Sequence, residues 1–206
     1  MDTYKTEQEV FWAGEFGNEY IDRNTGPELN AKALSIFVKI LGRTMNVHSF
    51  IEFGANRGIN IQAIRQLIPG IELSAIEINQ KAVKELEKHG GIKIYHQSIL
   101  DFTPDYKRDF VLIKGVLSHI NPEFLPQVYE RLYETSNHYI CLAEYYNPTP
   151  VEAPYRGHIG KLFKRDFAGD MLDKYNDLVL IDYGFAYRRD NVFPSGDGTW
   201  FLLEKR

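Results

Sequence analysis

The chain has 206 residues, 44% of them hydrophobic, with a net charge of −4 and mixed signs along its length. That size suits one domain burying roughly 70% of its unfolded surface, and the charge excludes the broad basic field by which nucleic acid or an anionic membrane is held. No apolar run approaches the ~20 residues that span a bilayer, the opening Met1-Asp2-Thr3-Tyr4-Lys5 lacks a charged-then-apolar leader, and the single cysteine, Cys141, excludes an intramolecular disulfide, so a cytoplasmic protein is expected.

An aromatic, acidic segment comes first, Phe11-Trp12-Ala13-Gly14-Glu15-Phe16-Gly17-Asn18-Glu19-Tyr20, and residues 1–30 are read as a cap on a single domain spanning 1–206. A helix is predicted over 29–41, with Leu34, Phe37, Val38 and Leu41 on one face and Gly42 as its stop. Strands are then predicted near 48–53, 72–76, 92–95, 109–113, 138–144, 178–183 and 200–204, with helices at 60–67, 80–88, 123–135 and 165–174. The turn-rich Phe193-Pro194-Ser195-Gly196-Asp197-Gly198 joins the last two strands as a hairpin. This alternation predicts an α/β fold, a seven-stranded and mostly parallel sheet with a C-terminal antiparallel hairpin strand. Cys141 lies inside the apolar run Tyr139-Ile140-Cys141-Leu142-Ala143 and reads as a buried small hydrophobe. No Cys/His cluster has metal-ligand spacing, and no metal is expected.

Ligands of open α/β sheets bind beyond the carboxyl ends of the strands, so the informative residues sit just after each strand. The first strand runs into Glu52-Phe53-Gly54-Ala55-Asn56-Arg57-Gly58, an acid followed by a glycine turn and a helix start. A dinucleotide fingerprint needs glycines at G-x-G-x-x-G so that backbone can approach a pyrophosphate. Counted from Gly54, the second and third glycine positions are Asn56 and Ile59, so a dinucleotide is argued against. The second strand ends at Ile76-Glu77-Ile78, where a carboxylate can accept both hydroxyls of a ribose. Ser98, Ile99, Lys114 and His119 follow the third and fourth strands, and Glu144-Tyr145-Tyr146-Asn147 follows the fifth.

With these segments placed, the chain resembles the class I (seven-stranded) S-adenosylmethionine (SAM)-dependent methyltransferases, which implies a Rossmann-like three-layer αβα sandwich. It is more closely similar to the pseudaminic acid biosynthesis-associated methylase family. The segments that carry the closer match are Phe11 to Gly17, Lys114-Gly115-Val116-Leu117-Ser118-His119-Ile120-Asn121-Pro122, Ala143 to Pro150, Tyr155-Arg156-Gly157-His158 and Leu162 to Gly169. The resemblance implies SAM as cofactor and S-adenosyl-L-homocysteine as product. By that resemblance Gly54, Ala55, Asn56 and Gly58 form the methionine-end turn, Glu77 takes the ribose, and Ile78 and Ile99 flank the adenine. Ser98 stands where many relatives have an aspartate facing the adenine amino group. Glu52 orients the loop or reaches the methionine amino group through water, the alternative being a strand-end carboxylate bonded to backbone. Lys114 joins the cofactor set. Tyr20 or Trp12 would stack beside the sulfonium and Arg23 would pair with the methionine carboxylate, unless the cap only packs on the sheet edge.

Methyl transfer from a sulfonium is an in-line displacement in which alignment supplies much of the acceleration. His119 is the leading general base for a hydroxyl acceptor, with Glu144 and His158 as competitors; the alternative for His119 is a brace for its loop. Tyr145, Tyr146, Asn147, Tyr155, Arg156 and His158 are candidate acceptor contacts, since phenols give flat contact area and a guanidinium forks onto carboxylate or phosphate. Base-amino methylation needs an Asn/Asp-Pro-Pro-aromatic turn where this chain has Lys114-Gly115-Val116-Leu117, and cytosine-C5 methylation needs a free thiolate; neither is favoured. The expected partner is a small polar acceptor, for which the resemblance implies a nonulosonic (sialic-acid-like) acidic sugar or its nucleotide-sugar precursor. Oxygen is preferred over nitrogen as the acceptor atom, and the oligomeric state is open. The alternatives are a SAM-binding regulator of a glycan pathway without turnover and an RNA-directed methyltransferase.

Overall fold

The structure, a computed structural model, describes residues 4–206; Met1, Asp2 and Thr3, the start of the cap segment, lie outside the described residues. Two short helices open the chain, α1 (Glu7–Ala13) and α2 (Glu15–Arg23), followed by α3 (Pro27–Leu41). Then come β1 (Ser49–Phe53), α4 (Ile59–Leu67), β2 (Glu72–Glu77), α5 (Gln80–Glu87), β3 (Ile92–His96) and β4 (Arg108–Lys114). The second half holds α6 (Leu125–Thr135), β5 (Ser136–Glu144), a small hairpin of β6 (Val151–Glu152) and β7 (Phe163–Lys164), α7 (Phe167–Lys174), β8 (Leu178–Ala186) and β9 (Gly198–Lys205).

Seven strands form one sheet in the order β3-β2-β1-β4-β5-β9-β8, parallel throughout except for β9, which runs antiparallel to both its neighbours. The expected α/β sandwich and its C-terminal hairpin strand are therefore present. Period-two alternation along strands buried on both sides builds two cores. Phe50, Phe110, Leu112 and Leu202 face Phe37, Ile40, Ile61 and Ile64 of α3 and α4, whereas Ile51, Phe53, Val111 and Ile113 face Val128, Leu132, Phe167 and Met171 of α6 and α7. The strand order reverses between β1 and β4, so a crevice opens beyond their carboxyl ends.

Three features depart from the sequence expectation. The predicted helix over 123–135 divides, a single turn at Pro122–Phe124 preceding α6. The predicted helix at 165–174 begins later, because the Asp166 side chain accepts from Gly169 N (2.8 Å) as an N-cap. The β6–β7 hairpin was not foreseen; each strand is two residues long, below what a periodicity can register.

α1 and α2 lie over the crevice. α1 is opened by a capping box in which Thr6 and Glu9 satisfy one another's backbone donors. Asn79, the N-cap of α5, holds both cap helices: its Nδ2 donates to Trp12 O (3.1 Å), Ala13 O (3.3 Å) and Asn18 Oδ1 (3.1 Å). The approach is close enough to demand glycine, since a Cβ at Gly17 would stand 1.9 Å from Trp12 O and 2.9 Å from Asn79 Nδ2. Gly17→Ala is expected to lower the unfolding free energy by about 1–3 kcal/mol in a urea melt, and an unchanged midpoint would mean that the cap helices do not pack this way.

Candidate active site

A cavity of about 280 Å³ opens at the switch point, roofed by α1 and α2. Gly54, Ala55 and Asn56 line it from β1, Glu77, Ile78 and Asn79 from β2, Ser98, Ile99 and Leu100 from β3, and Lys114 and His119 from β4. The cap contributes Gln8, Glu9, Trp12 and Tyr20. The sequence-predicted cofactor residues thus converge, with three exceptions.

Arg23 is exposed and lies outside the cavity lining; its guanidinium pairs with Glu19 (3.1 Å) and sits over the Phe16 ring. Glu52 is buried behind the wall, where its Oε1 accepts from Asn60 Nδ2 (2.5 Å) and its Oε2 has no partner. Gly58 lies outside the cavity lining and serves a helix contact: it caps α4 in the left-handed region (φ +82°), and a Cβ there would meet Leu86 Cδ2 of α5 at 2.7 Å. Arg57 is a lining residue that sequence reasoning passed over. Its Nη1 donates to Ile21 O (3.3 Å) and Asn24 O (3.2 Å), closing the end of α2 onto the glycine turn, and its Nη2 meets Glu85 (3.3 Å).

Glu77 forms the floor. Its carboxyl accepts from Asn56 N (2.6 Å) and Asn79 N (2.8 Å). Burial raises its pKa, and the donated N–H groups oppose that rise. At the same level Gly54 turns in the left-handed region (φ +77°) under Val116. Lys114 makes no ion pair among the described residues and lines the cavity beside these groups.

The loop after β4 is fastened by Glu144, whose Oε1 accepts from Val116 N (2.8 Å) and Leu117 N (2.9 Å) and whose Oε2 accepts from Ser118 N (3.3 Å) and Ser118 Oγ (2.6 Å). With four donors in place, the Glu144 carboxyl positions the loop. The His119 ring is buried between Trp12 (4.8 Å) and Tyr155 (4.7 Å). Its Nδ1 lies 2.5 Å from Lys161 O, and a carbonyl only accepts, so Nδ1 carries the hydrogen and Nε2 keeps its lone pair. Burial lowers its pKa to about 4, so the ring is neutral at physiological pH.

Of the acceptor candidates, Tyr145, Tyr155 and Arg156 gather with Tyr20. Burial pushes the Tyr20 phenol up to about 12, the Tyr155 and Tyr145 phenols add to the rise, and the Arg156 guanidinium opposes it. Arg156 and Gly157 occupy the left-handed corner between Tyr155 and His158, which pair in backbone at 2.8 and 2.9 Å. Tyr146 instead packs on Phe201 (5.9 Å) with 43% exposure, Asn147 closes its own turn onto Thr149 O (2.6 Å), and His158 edges onto Phe11 (4.9 Å) and Phe16 (5.5 Å). None of the six acceptor candidates is among the residues lining the cavity; Tyr145, Tyr155 and Arg156 lie beyond it, on the side of Tyr20 and His119. Burial raises the Cys141 thiol to about 12, consistent with an inert core residue. Among the described residues no His/Cys/Asp/Glu group has metal-site geometry, and no helix is long and apolar enough to cross a membrane.

No protein-family model and no curated protein matches the chain. Among solved structures it is similar to the mitomycin 7-O-methyltransferase MmcR, at 15% identity over 98% of this chain and 61% of that one (TM-score 0.67). It is also similar to Burkholderia thailandensis 1,6-didemethyltoxoflavin-N1-methyltransferase with bound 1,6-didemethyltoxoflavin and S-adenosylhomocysteine, at 12% identity over 96% and 86% (TM-score 0.69). Streptomyces venezuelae DesVI matches at 13% identity over 98% and 100% (TM-score 0.66). The chain has the class I methyltransferase fold.

Glu52 yields a sharp stability prediction. Burial raises its pKa from 4.5 to about 8, with the Asn60 hydrogen bond and Lys114 opposing. Between those values the folded chain holds a proton that the unfolded chain releases, so stability falls as pH rises through the window. Glu52→Gln keeps the Asn60 bond and removes that loss. Its melting-temperature gain over wild type is expected to grow from about pH 5 to about pH 8; a gain independent of pH would contradict the buried placement.

Proposed function

We propose that the chain is a SAM-dependent methyltransferase acting on a small, polar, anionic acceptor. The observation that carries this reading is Glu77, a buried carboxyl at the end of β2, set in the floor of a strand-end cavity beside the Gly54 turn. The fold shared with methyltransferases of known structure supports it. SAM, when bound, supplies a methyl group on a positively charged sulfur.

The residues present fit that group. Glu77 has lone pairs left for ribose hydroxyls, Ile78 and Ile99 offer apolar faces to a base, and Lys114 is a cation for the methionine carboxylate in place of Arg23. The Trp12 and Tyr20 rings, 5.3 Å apart edge to face, give the sulfonium an aromatic wall. Cavity-lining residues also carry buried polar atoms without partners, Gln8 Oε1 and Trp12 Nε1 among them, that call for a polar occupant. The cap excludes water from this end, and Arg57 and Asn79 hold it shut.

His119 presents Nε2 to the acceptor side and takes the hydrogen of an acceptor hydroxyl. A ring with so low a pKa is a weak base, so its part is chiefly to orient that hydroxyl and withdraw its proton as the carbon–oxygen bond forms. Glu144 and Lys161 O are the positioning groups behind it. Tyr20, Tyr145, Tyr155 and Arg156 form the acceptor wall, where three phenols and one guanidinium suit a hydroxylated molecule bearing a carboxylate. A nonulosonic-type acidic sugar or its activated precursor answers that description.

Methyl-labelled SAM supplied with fractionated metabolites is expected to label an anionic small-molecule fraction. His119→Phe should lower kcat by about 10²-fold, and Arg156→Ala should raise KM by about tenfold or more with kcat little changed. The wild-type kcat should stay flat from about pH 8 down to about pH 5, because His119 titrates below that range. Label appearing in RNA, or in no fraction, would overturn the proposal, and a fall in kcat centred near pH 6.5 would remove His119 from its role.

A further inference from the structure

We infer that Glu9, on the first cap helix rather than on the sheet, is the carboxylate that selects adenine at the outer end of the cavity. The inference rests on the proposed use of SAM. Glu77 fixes where a ribose sits, and the cavity continues past it between β2 and β3, walled by Ile78, Ile99 and Leu100. A base lying there presents its edge to the loop after β3 and to the first turn of α1.

On the loop side the strongest acceptor for an exocyclic amino group is missing. Ser98 supplies a hydroxyl, and its Oγ already accepts from Leu100 N at 3.1 Å. Leu100 O is engaged by Lys5 Nζ (3.2 Å) and Gln127 Nε2 (2.8 Å). On the cap side stands Glu9, 6% exposed and, with Glu77, one of two carboxyl groups lining the cavity among the described residues. One oxygen of Glu9 is committed: Oε2 accepts from Lys5 N (2.8 Å), Thr6 N (2.8 Å) and Thr6 Oγ (3.1 Å). The other, Oε1, is buried without a partner. A capping box explains the first oxygen and leaves the second unexplained, and a buried acceptor of this kind is costly unless something donates to it.

Lys5 fastens this turn to the loop after β3, pairing with Asp101 (2.6 Å) as well as Leu100 O, so the two sides are held together at one end of the cavity. An amino group on the base edge would donate to Glu9 Oε1. A carbonyl at the same place, as in hypoxanthine, would face a carboxyl oxygen and be rejected. The acid absent from the sheet is thus supplied by the cap, and cofactor recognition depends on the cap being closed.

The test compares S-adenosylhomocysteine with S-inosylhomocysteine by calorimetry on the full chain. Wild type is expected to prefer the adenosyl ligand by about 30-fold or more, because a site built around one hydrogen bond rejects the analogue that cannot make it. Glu9→Gln keeps an oxygen for the cap and offers an amide N–H to a carbonyl, so the preference should fall at least about tenfold, the inosyl ligand gaining and the adenosyl ligand losing. An unchanged preference in Glu9→Gln overturns the inference, and so does a wild-type chain that binds both ligands equally, which requires no variant. Failure of wild type to bind either ligand would instead overturn the use of SAM.

Discussion

The Glu77 carboxyl is the point on which the site depends. A buried carboxyl is tolerated only when donors surround it, and here the donors are the backbone of the glycine turn at Asn56 and the start of α5 at Asn79. One side chain therefore joins β2 to the loop after β1. Asn79 carries the connection onward: its Oδ1 caps α5 through Lys81 N and Ala82 N, while its Nδ2 holds Trp12, Ala13 and Asn18 of the cap. Sheet, turn and roof are linked through two adjacent polar residues. A ligand hydroxyl added at Glu77 would feel, and influence, all three.

Three strand-end glutamates share high burial and differ in their donors, and the donors decide their parts. Glu144 is surrounded by four and acts as a clamp on the loop that carries His119. Glu77 has two backbone donors and lone pairs to spare toward the cavity. Glu52 has one donor and an orphaned oxygen, and burial carries its pKa to about 8. Residue type and position after a strand do not distinguish these cases, whereas hydrogen-bond accounting does.

The fold was largely legible because parallel strands buried on both faces leave continuous apolar runs, and Phe50-Ile51 or Val111-Leu112-Ile113 can be nothing else at that length. The placement of Gly54 and Glu77 in the crevice was legible for a related reason: it follows from backbone geometry at a strand end. What escaped was set by long-range packing. Arg23 and Arg57 look equivalent as isolated cations, yet only Arg57 reaches back across the turn to Ile21 and Asn24. Tyr145 and Tyr146 are neighbours of the same type, and the loop turns one toward Arg156 and the other onto Phe201. Glu9 reads locally as a capping box, and its unpartnered oxygen becomes visible only when α1 is placed against the loop after β3.

The most direct measurement is a calorimetric titration of S-adenosylhomocysteine into wild type and Glu77→Gln. Glu77→Gln retains one acceptor oxygen, so the fold should survive while the charge-assisted bonds to ribose are lost. Binding by wild type with an affinity at least about tenfold weaker in the variant is the expected result, since a hydrogen bond to a charged group contributes about 1.5–3 kcal/mol. Equal affinity in the two proteins, with both folded, would contradict the placement of Glu77 beneath the cofactor and the reading built on it.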